Sequence, residues 1–272
     1  MIMMIQDYIK SLQLTQQHAC LAQLREIQEK HLEMYSFSSI SALGAEIISL
    51  QEEALLDRLV LRKKGGYCFE QNKLAYLALE HLGYEVQPLL AKVLLNGNED
   101  NARTHRVTLV KIGDDSYLFD VGFGSKSPKE PLCISQSGTI EVGNYHYKIT
   151  RTASDVRIEL LQPEQVSLYS VSLVPVTEKD FDVVHFYSHQ HPESNFVNNL
   201  VLSRVTGGQR FTLRNLLYRE LHEVSQFSTV IEVTSAQQLL SLIRQKFLLN
   251  VCTSEAERLF ARAQKSMRMQ SA

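Results

Sequence analysis

The spacing of apolar residues changes after Gly83, and this change constrains the fold more than any other feature of the chain. Before Gly83, apolar side chains recur at intervals of three and four, as in Leu24, Ile27 and Met34, which is typical of amphipathic helices. Thr15 is the expected N-cap of the helix that carries them. Beyond Gly83, short segments alternate in polarity, which is typical of strands. The sequence therefore predicts an α+β fold that begins with helices.

The middle of the chain is predicted to form short strands joined by tight turns. Gly113-Asp114-Asp115 and Gly143-Asn144 are the clearest turn signals between neighbouring strands. Strands this short, at this spacing, indicate an antiparallel barrel or a sandwich rather than a parallel sheet.

The last third of the chain is predicted to be mixed. Strands are expected at 196–205 and 210–217, followed by an amphipathic helix at 236–249 and a further helix from about Ser254. The changes of period divide the chain into three predicted units: a helical unit at 1–83, a β unit at 84–190 and an α/β unit at 191–272.

Composition and charge exclude several classes of function. Hydrophobic residues are 44% and charged residues 21% of 272, which is an ordinary globular composition. A net charge of −2 provides no basic excess to hold a phosphate backbone, so no nucleic-acid partner is expected. The chain start lacks the basic region of a signal peptide, and no apolar run could span a bilayer. We therefore expect a cytoplasmic chain with no membrane partner and with reduced thiols.

Cys68 is the cysteine whose sequence surroundings favour chemistry. It follows Gly65 and Gly66, which permit a tight turn and a close approach of the backbone. It also falls where a helix over 69–82 is predicted to begin, and the dipole and free N–H groups of a helix start favour a thiolate. The other cysteines lack such a setting and are interpreted as ordinary small side chains: Cys20, Cys133 and Cys252.

A nucleophilic cysteine needs a base, and the base needs an orienting group. His105 begins the strand before the Gly113-Asp114-Asp115 turn, and Asp120 ends the strand after it. Pairing through this hairpin predicts that the two lie within hydrogen-bonding range. We expect the Asp120 carboxylate to bind Nδ1 of His105, which leaves Nε2 to face the thiol of Cys68.

Three segments in this order resemble the arylamine N-acetyltransferase family. They are Gly-Gly-Tyr-Cys-Phe-Glu-Gln-Asn at 65–72, Thr-His-Arg-Val-Thr-Leu-Val at 104–110, and Phe-Asp-Val-Gly-Phe-Gly at 119–124. The resemblance extends to His-Pro-Glu-Ser-Asn-Phe at 191–196 and covers residues 10 to 205. It implies an N-terminal helical bundle, a central antiparallel β-barrel and a C-terminal α/β lid around a papain-like Cys-His-Asp core.

The resemblance also implies the reaction and its residues. Cys68 would be the acetylated nucleophile, His105 its proton partner and Asp120 the orienting carboxylate. The acetyl donor would be acetyl-CoA, and the acceptor an arylamine, hydrazine or arylhydroxylamine, in a ping-pong sequence. No permanently bound cofactor is expected, and the sequence implies no particular oligomeric state.

The same resemblance places residues around the substrates. Phe123 and Val93 would line the pocket for the acceptor amine, and Phe37 is expected to face it. Gly124 would lie near bound coenzyme A.

Two positions depart from the family pattern. The family usually has Arg where this chain has Lys64, and Glu where it has Ser38. The two family residues resemble a structural ion pair, so the acidic partner is expected to be missing here. Lysine also lacks the bidentate fork of arginine. The bracing of the catalytic turn is therefore expected to differ from that of relatives.

Two rival functions stay open at this point. One is a papain-like or transglutaminase-type cysteine acyl hydrolase or transferase, and the other is a non-catalytic thiol sensor on the same scaffold. His185, His189 and His191 have a spacing that suits a metal, but no carboxylate or cysteine completes a ligand set. We therefore expect no metal site.

Overall fold

The structure is a computed structural model that describes residues 4–270. The first three residues and the last two lie outside that range, so part of the chain start on which the targeting expectation rests is not described. Among the described residues, no helix has both the length and the apolar character needed to cross a membrane.

Helices occupy the two ends of the described chain. The first group consists of α1 (Ile5–Ser11), α2 (Leu21–Met34), α3 (Ile40–Leu43), α4 (Glu52–Leu55), a π-helical continuation of α4 (Leu56–Leu61) and α5 (Cys68–His81). The second group consists of α6 (Glu178–Gln190), α7 (Asn195–Asn198), α8 (Ala236–Gln245) and α9 (Thr253–Gln270).

The N-terminal helices bury one shared core. Tyr8 of α1, Leu24 and Ile27 of α2, and Phe69 of α5 are all fully buried in the same hydrophobic cluster. The periodic face predicted for α2 is confirmed at Leu24 and Ile27, but Met34, the last residue of the helix, is 40% exposed, so the prediction is wrong there. Because α5 begins at Cys68, this core holds the helix start that carries the candidate nucleophile.

The predicted N-cap of α2 is wrong. Cys20 occupies the N-cap, and its Sγ accepts a hydrogen bond from the backbone N–H of Gln23 at 3.5 Å. The backbone N–H of Thr15 instead donates to Oε1 of Glu26 at 2.8 Å. A glutamate on the helix surface thus holds the preceding loop back against α2, which delays the helix start.

The central part of the chain forms an eight-stranded antiparallel sheet that curls into a nearly closed barrel. In spatial order, its strands are β5 (Leu132–Cys133), β4 (Asp115–Phe119), β3 (His105–Ile112), β2 (Glu85–Val93), β9 (Val166–Ser172), β8 (Asp155–Gln162), β7 (Tyr145–Arg151) and β6 (Gly138–Val142). In β7, the buried Tyr147 and Ile149 alternate with the exposed Lys148, as the period of two requires. Both predicted turns join neighbouring strands of this sheet.

A second sheet lies in the C-terminal part. Its order is β1 (Phe37–Ser38), β10 (Val201–Val205), β11 (Gln209–Arg214), β12 (Leu217–His222) and β13 (Ser228–Glu232). The helices α8 and α9 bury their apolar faces against it, around the fully buried Leu239 and Phe247. Because β1 comes from the N-terminal part, where Phe37 pairs with Ser203, the bundle and this sheet are joined through backbone hydrogen bonds. The α+β fold class is confirmed.

Two strand predictions in this part need correction. The segment 196–205 begins as α7 and becomes a strand only at Val201, because the side-chain amide of Asn198 bonds the carbonyl of Ser194 at 2.9 Å and supports a helical turn. The segment 210–217 is divided at Asn215, where a positive φ of 52° ends β11 and allows the chain to return as β12. The expected unit boundaries near 83 and 190 stay predictions.

Candidate active site

Cys68 is held at the start of α5 by a turn that only small residues permit. Gly65 has a φ of +68°, and a Cβ there would lie 2.7 Å from the Cβ of Ser38. A Cβ on Gly66 would lie 2.8 Å from Cδ2 of Leu59. Both contacts are closer than packing allows. The two glycines therefore fix where the helix begins, and the exposed fraction of Cys68 is only 3%.

The thiol of Cys68 faces the start of β3. Its Sγ lies 3.7 Å from the carbonyl oxygen of Thr104, the residue before His105. The predicted cysteine and histidine are thus brought together, although they come from the helical bundle and the barrel.

His105 and Asp120 form the predicted hydrogen bond, with Nε2 of His105 2.7 Å from Oδ2 of Asp120. Both side chains are almost completely buried, at 2% and 1% exposure. The two are not directly opposite in the ladder. His105 pairs with Ala91 of β2, while β3 and β4 separate after the Thr108–Phe119 pair. Asp120 therefore reaches His105 from just beyond the end of β4.

The expected assignment of the ring nitrogens is wrong. The carboxylate binds Nε2 of His105, so Nδ1 is the nitrogen left for Cys68. Asp120 lies past the strand end rather than opposite His105, and it meets the far nitrogen of the ring. The chemical logic is unchanged, because a carboxylate on either nitrogen fixes the tautomer and frees the other nitrogen.

The charge of Asp120 sets the protonation of His105. Burial by itself would lower the pKa of His105, but the charge and hydrogen bond of Asp120, with a smaller contribution from Cys68, raise it to about 10. An imidazolium next to a sulfur favours the thiolate form. The arrangement therefore stores a proton on His105 beside a candidate nucleophile.

Asn72 anchors this arrangement, and the sequence assigned it no role. Its Nδ2 donates to Oδ1 of Asp120 at 2.9 Å and to the carbonyl of Arg106 at 2.5 Å, while its Oδ1 accepts from the N–H of Val121 at 3.0 Å. Asn72 lies one helical turn after Cys68, so it shares a face of α5 with the nucleophile. The spacing of four residues from Cys68 is the signal in the sequence that would have found it, and the structure shows that the amide is fully buried.

Gly122 allows α5 and the end of the hairpin to approach each other. A Cβ at this position would lie 2.6 Å from Nδ2 of Asn72 and 2.8 Å from Cα of Cys68. Its backbone N–H also donates to Oδ1 of Asp120 at 2.9 Å. Any side chain at this position would therefore push Cys68 away from the other two residues.

Aromatic residues surround His105. The ring of Phe123 lies 5.2 Å from the His105 ring, and Tyr169 lies 5.4 Å from His105 and 4.7 Å from Phe123. Val93, at the end of β2, pairs with Tyr169 and so shares its face of the barrel. Two of the residues expected to line an acceptor pocket, Phe123 and Val93, are therefore on the side of His105.

Phe37 and Gly124 lie close to each other just beyond the end of the hairpin. A Cβ on Gly124 would be 4.0 Å from Cγ of Phe37, and both residues line a small cavity of about 10 Å³ with Val121 and Ser203. Gly124 begins a short 3-10 turn, and its φ of +80° suits glycine.

Lys64 does have an acidic partner, contrary to expectation. Its Nζ lies 2.9 Å from Oε2 of Glu255 in α9. Ser38 contributes through its backbone, which donates to the carbonyl of Gly66 at 2.8 Å. A second ion pair joins Nη2 of Arg58 to Oε1 of the fully buried Glu70, at 2.7 Å. The catalytic turn is therefore braced, but by residues other than the family pair.

The histidines near 190 are engaged in structural hydrogen bonds. Nε2 of His185 lies 2.8 Å from the carbonyl of Ile48 and its Nδ1 meets the hydroxyl of Tyr67, while Nδ1 of His189 lies 2.6 Å from the carbonyl of His185. Across residues 4–270, no three His, Cys, Asp or Glu side chains are grouped in a way that could hold a metal ion. The four cysteines are free thiols.

Cysteine-dependent acyl-transfer enzymes activate their nucleophile with a buried thiol, an imidazole and a carboxylate in this order. The site therefore defines the protein as a member of this class of enzymes.

Comparison with known proteins identifies which acyl-transfer family the chain belongs to. The sequence profile of a family described as N-acetyltransferase matches residues 20–256. The chain is 32% identical to an arylamine N-acetyltransferase of Mycolicibacterium smegmatis over 84% of both chains. It is 29% identical to an arylamine N-acetyltransferase / N-hydroxyarylamine O-acetyltransferase of Salmonella typhimurium, over 84% of this chain and 82% of that one.

Solved structures agree. The arylamine N-acetyltransferase of Mycobacterium marinum in complex with CoA superposes with a TM-score of 0.88 at 25% identity, covering 97% of this chain and 99% of that one. The Mycobacterium smegmatis enzyme gives 0.87 at 29% identity over 96% and 97%. The chain belongs to the arylamine N-acetyltransferase family and is an acyltransferase.

Proposed function

We propose that this enzyme moves an acetyl group from acetyl-CoA to an arylamine, hydrazine or arylhydroxylamine through an acetylated Cys68. The observation that carries the proposal is the meeting of Cys68, His105 and Asp120 at the junction of α5 and the barrel. The coenzyme is proposed because a similar structure, that of the Mycobacterium marinum enzyme, is a complex with CoA. We place bound coenzyme near Gly124, beside Phe37.

In the first half-reaction, the Cys68 thiolate attacks the thioester carbonyl carbon of acetyl-CoA. A carbon–sulfur bond to Cys68 forms as the bond to the coenzyme sulfur breaks. The backbone N–H groups at the very start of α5 are suited to hold the oxyanion, whereas those of Glu70 and Gln71 already donate to the carbonyl of Tyr67. The leaving coenzyme thiolate takes the proton stored on His105. One thioester replaces another, so the step is close to balanced in energy.

In the second half-reaction, the amine attacks the acetyl carbon on Cys68. The new carbon–nitrogen bond forms, the bond to Cys68 breaks, and His105 accepts the proton that the amine loses. The Cys68 anion helps to raise the pKa of His105, so acetylation of that sulfur lowers the pKa. The neutral imidazole needed as a base is therefore favoured in the acetyl-enzyme.

The ring cluster around His105 supports an aromatic acceptor. The Phe123 ring packs edge to face with both Tyr169 and His105, while Tyr169 is tilted against His105. Aromatic rings favour such offset contacts with a further ring. An arylamine is largely unprotonated at neutral pH, whereas an alkylamine is mostly a cation there and a poor nucleophile.

Initial-rate kinetics with acetyl-CoA and an arylamine test this function. Double-reciprocal plots at several amine concentrations should give parallel lines, because each substrate reacts with a different form of the enzyme. A peptide amide and a peptide ester serve as parallel substrates for the papain-like alternative. Turnover of a peptide without acetyl-CoA, or intersecting lines with acetyl-CoA, would contradict the proposal. If neither the acetyl-CoA and arylamine pair nor the peptide substrates turn over, only a non-catalytic thiol remains, and the proposal is also refuted.

A further inference from the structure

The catalytic turn, residues 63–66, is held by the segment between α8 and α9. The backbone N–H of Asn250 donates to the carbonyl of Lys63 at 2.9 Å. Close by, the carbonyl of Phe247 accepts from Oγ of Ser36 at 2.6 Å. We call residues 247–255, which comprise this segment and the first turn of α9, the C-terminal clamp. The clamp is far from the nucleophile in sequence, yet its backbone donates one hydrogen bond to the turn that precedes Cys68.

The clamp also packs against the glycine that needs a left-handed conformation. A Cβ on Gly65 would lie 2.9 Å from Cδ2 of Leu249, so the leucine side chain covers the turn directly. The same Cβ would meet Cβ of Ser38 at 2.7 Å. The turn is therefore in close contact with both β1 and the clamp, with no space for a side chain at Gly65.

An ion pair between Lys64 and Glu255 also joins the catalytic turn to the clamp. Nζ of Lys64 lies 2.9 Å from Oε2 of Glu255, at 28% and 17% side-chain exposure. The backbone N–H of Lys64 also donates to the carbonyl of Arg58 at 2.9 Å, which ties it to the π-helical turn below. Because the pair is mostly shielded from water, salt screens it less than an exposed pair.

The ion pair stands only four residues before the nucleophile. Between Lys64 and Cys68 lie Gly65, Gly66 and Tyr67, and the backbone carbonyl of Gly66 is fixed by the N–H of Ser38 at 2.8 Å. A shift at Lys64 is therefore passed through a short, confined turn to the first residue of α5. Catalysis is sensitive to such shifts, since a displacement of about 1 Å can reduce the rate about a hundredfold.

We propose that Glu255 is a positioning residue for the acyl-transfer reaction, acting through Lys64 to hold the start of α5 and thereby Cys68 against His105. The proposal rests on the function proposed above for Cys68. On this proposal, the beginning of α9 helps to position the nucleophile in this chain. In the family pattern, the acidic partner of the residue at position 64 is instead at position 38.

The test uses Glu255→Gln, which removes the charge and keeps the shape. The matched control is Glu257→Gln, two residues along the same helix and exposed. Both are made in a Cys252→Ser background, because Cys252 is an exposed thiol whose pKa is lowered by the Ser254 hydroxyl, the Glu255 backbone and Lys64. Removing it ensures that thiol labelling is not dominated by a cysteine next to the mutated site.

The main readout is the rate at which iodoacetamide labels Cys68, located by peptide mass spectrometry, between pH 6 and 9. Glu255→Gln should lower this rate and kcat on the order of three- to tenfold, while Glu257→Gln should change neither. Lys64→Met should have an effect of similar size. The double variant should be no slower than the slower single variant, because both remove one shared contact. Melting curves establish that each variant is folded at the assay temperature.

Three outcomes would overturn the proposal. The first is a lower melting temperature for Glu255→Gln with a labelling rate equal to that of the Glu257→Gln control, which would make the pair a stabilising contact only. The second is strict additivity of the two single changes in labelling rate. The third is that Glu255→Gln fails to fold, while Lys64→Met folds and its Cys68 is labelled as fast as in the wild type. Labelling needs no acetyl-CoA, so a wild-type enzyme that labels but never acetylates would refute the proposed function and leave the positioning role intact.

Discussion

Replacing Asp120 by asparagine tests the arrangement of the three residues most sharply, because the structure dictates how the new amide must sit. Oδ1 of Asp120 accepts from both Asn72 and the N–H of Gly122. In Asp120→Asn, only the amide oxygen can face those two donors, so the NH2 group must face His105. Nε2 of His105 then has to accept, which places the remaining proton on Nδ1, toward Cys68. The variant should therefore hold the tautomer that is unable to take a proton from the thiol.

The size of the effect follows from the pKa of His105. Its rise from 6.5 to about 10 corresponds to at most about 5 kcal/mol of stabilisation of the imidazolium. Burial opposes this rise and Cys68 supplies part of it, so we assign on the order of 2–4 kcal/mol to Asp120, which overlaps the range for a buried pair that loses one partner. The expected loss is about 30- to 1,000-fold in both the labelling rate of Cys68 and kcat/KM for acetyl-CoA.

The assay is iodoacetamide labelling of Cys68 at pH 7, followed by acetyl transfer under the same conditions. Asp114→Asn, a charge-matched change at the exposed tip of the same hairpin, should leave both rates at the wild-type level. If Asp120→Asn labels and transfers as fast as Asp114→Asn, the assignment of Asp120 as the orienting group is wrong.

Three further predictions concern the same residues. Cys68→Ser should keep the fold, since the change is nearly isosteric, but acetyl transfer should fall below a tenth of the wild-type rate; a higher rate would remove Cys68 from its role. Gly122→Ala should abolish labelling of Cys68, because the added methyl would lie 2.6 Å from Nδ2 of Asn72. An unchanged labelling rate would mean that α5 and the end of the hairpin can move apart without displacing Cys68. A raised pKa on His105 stabilises the fold fully below about pH 6.5 and loses this effect as the pH rises through about 10. The difference in the free energy of unfolding between wild type and Asp120→Asn, measured with urea, should therefore shrink from pH 6 to pH 10, and a constant difference would contradict the assigned protonation.

Local sequence signals predicted the hairpin and the contact between His105 and Asp120 that it produces. Gly113 and Asp114 join β3 to β4 as a two-residue turn, and this fixes which strand ends are adjacent. These signals do not predict which ring nitrogen of His105 faces Asp120. This depends on the offset of Asp120 beyond the end of β4, which turn chemistry leaves open.

The helix α6 went unpredicted because its buried face is polar. His185, Ser188 and His189 are buried in it beside Phe181, whereas the apolar Val183 and Phe186 are exposed. The periodicity of apolar residues therefore predicts the wrong buried face for α6. His185 and His189 are buried because hydrogen bonds to backbone carbonyls satisfy their ring nitrogens.

The bracing of the catalytic turn was predicted wrongly for a different reason. Lys64 and Glu255 are separated by 191 positions, and no local pattern links them. Asn72, in contrast, carried a usable signal, since it lies one turn after Cys68 on the same helix. Contacts within one element or one hairpin could be read from the sequence, while contacts between the bundle and the C-terminal part required the fold.

The most direct test of the account is the intact mass of the protein after brief exposure to acetyl-CoA without any acceptor. We expect a gain of one acetyl group per chain, located on the peptide that contains Cys68 and lost again when an arylamine is added. The same treatment of Cys68→Ser should leave the mass unchanged. No gain in the wild-type mass, or an acetyl group located on Cys20, Cys133 or Cys252 instead, would contradict the central claim.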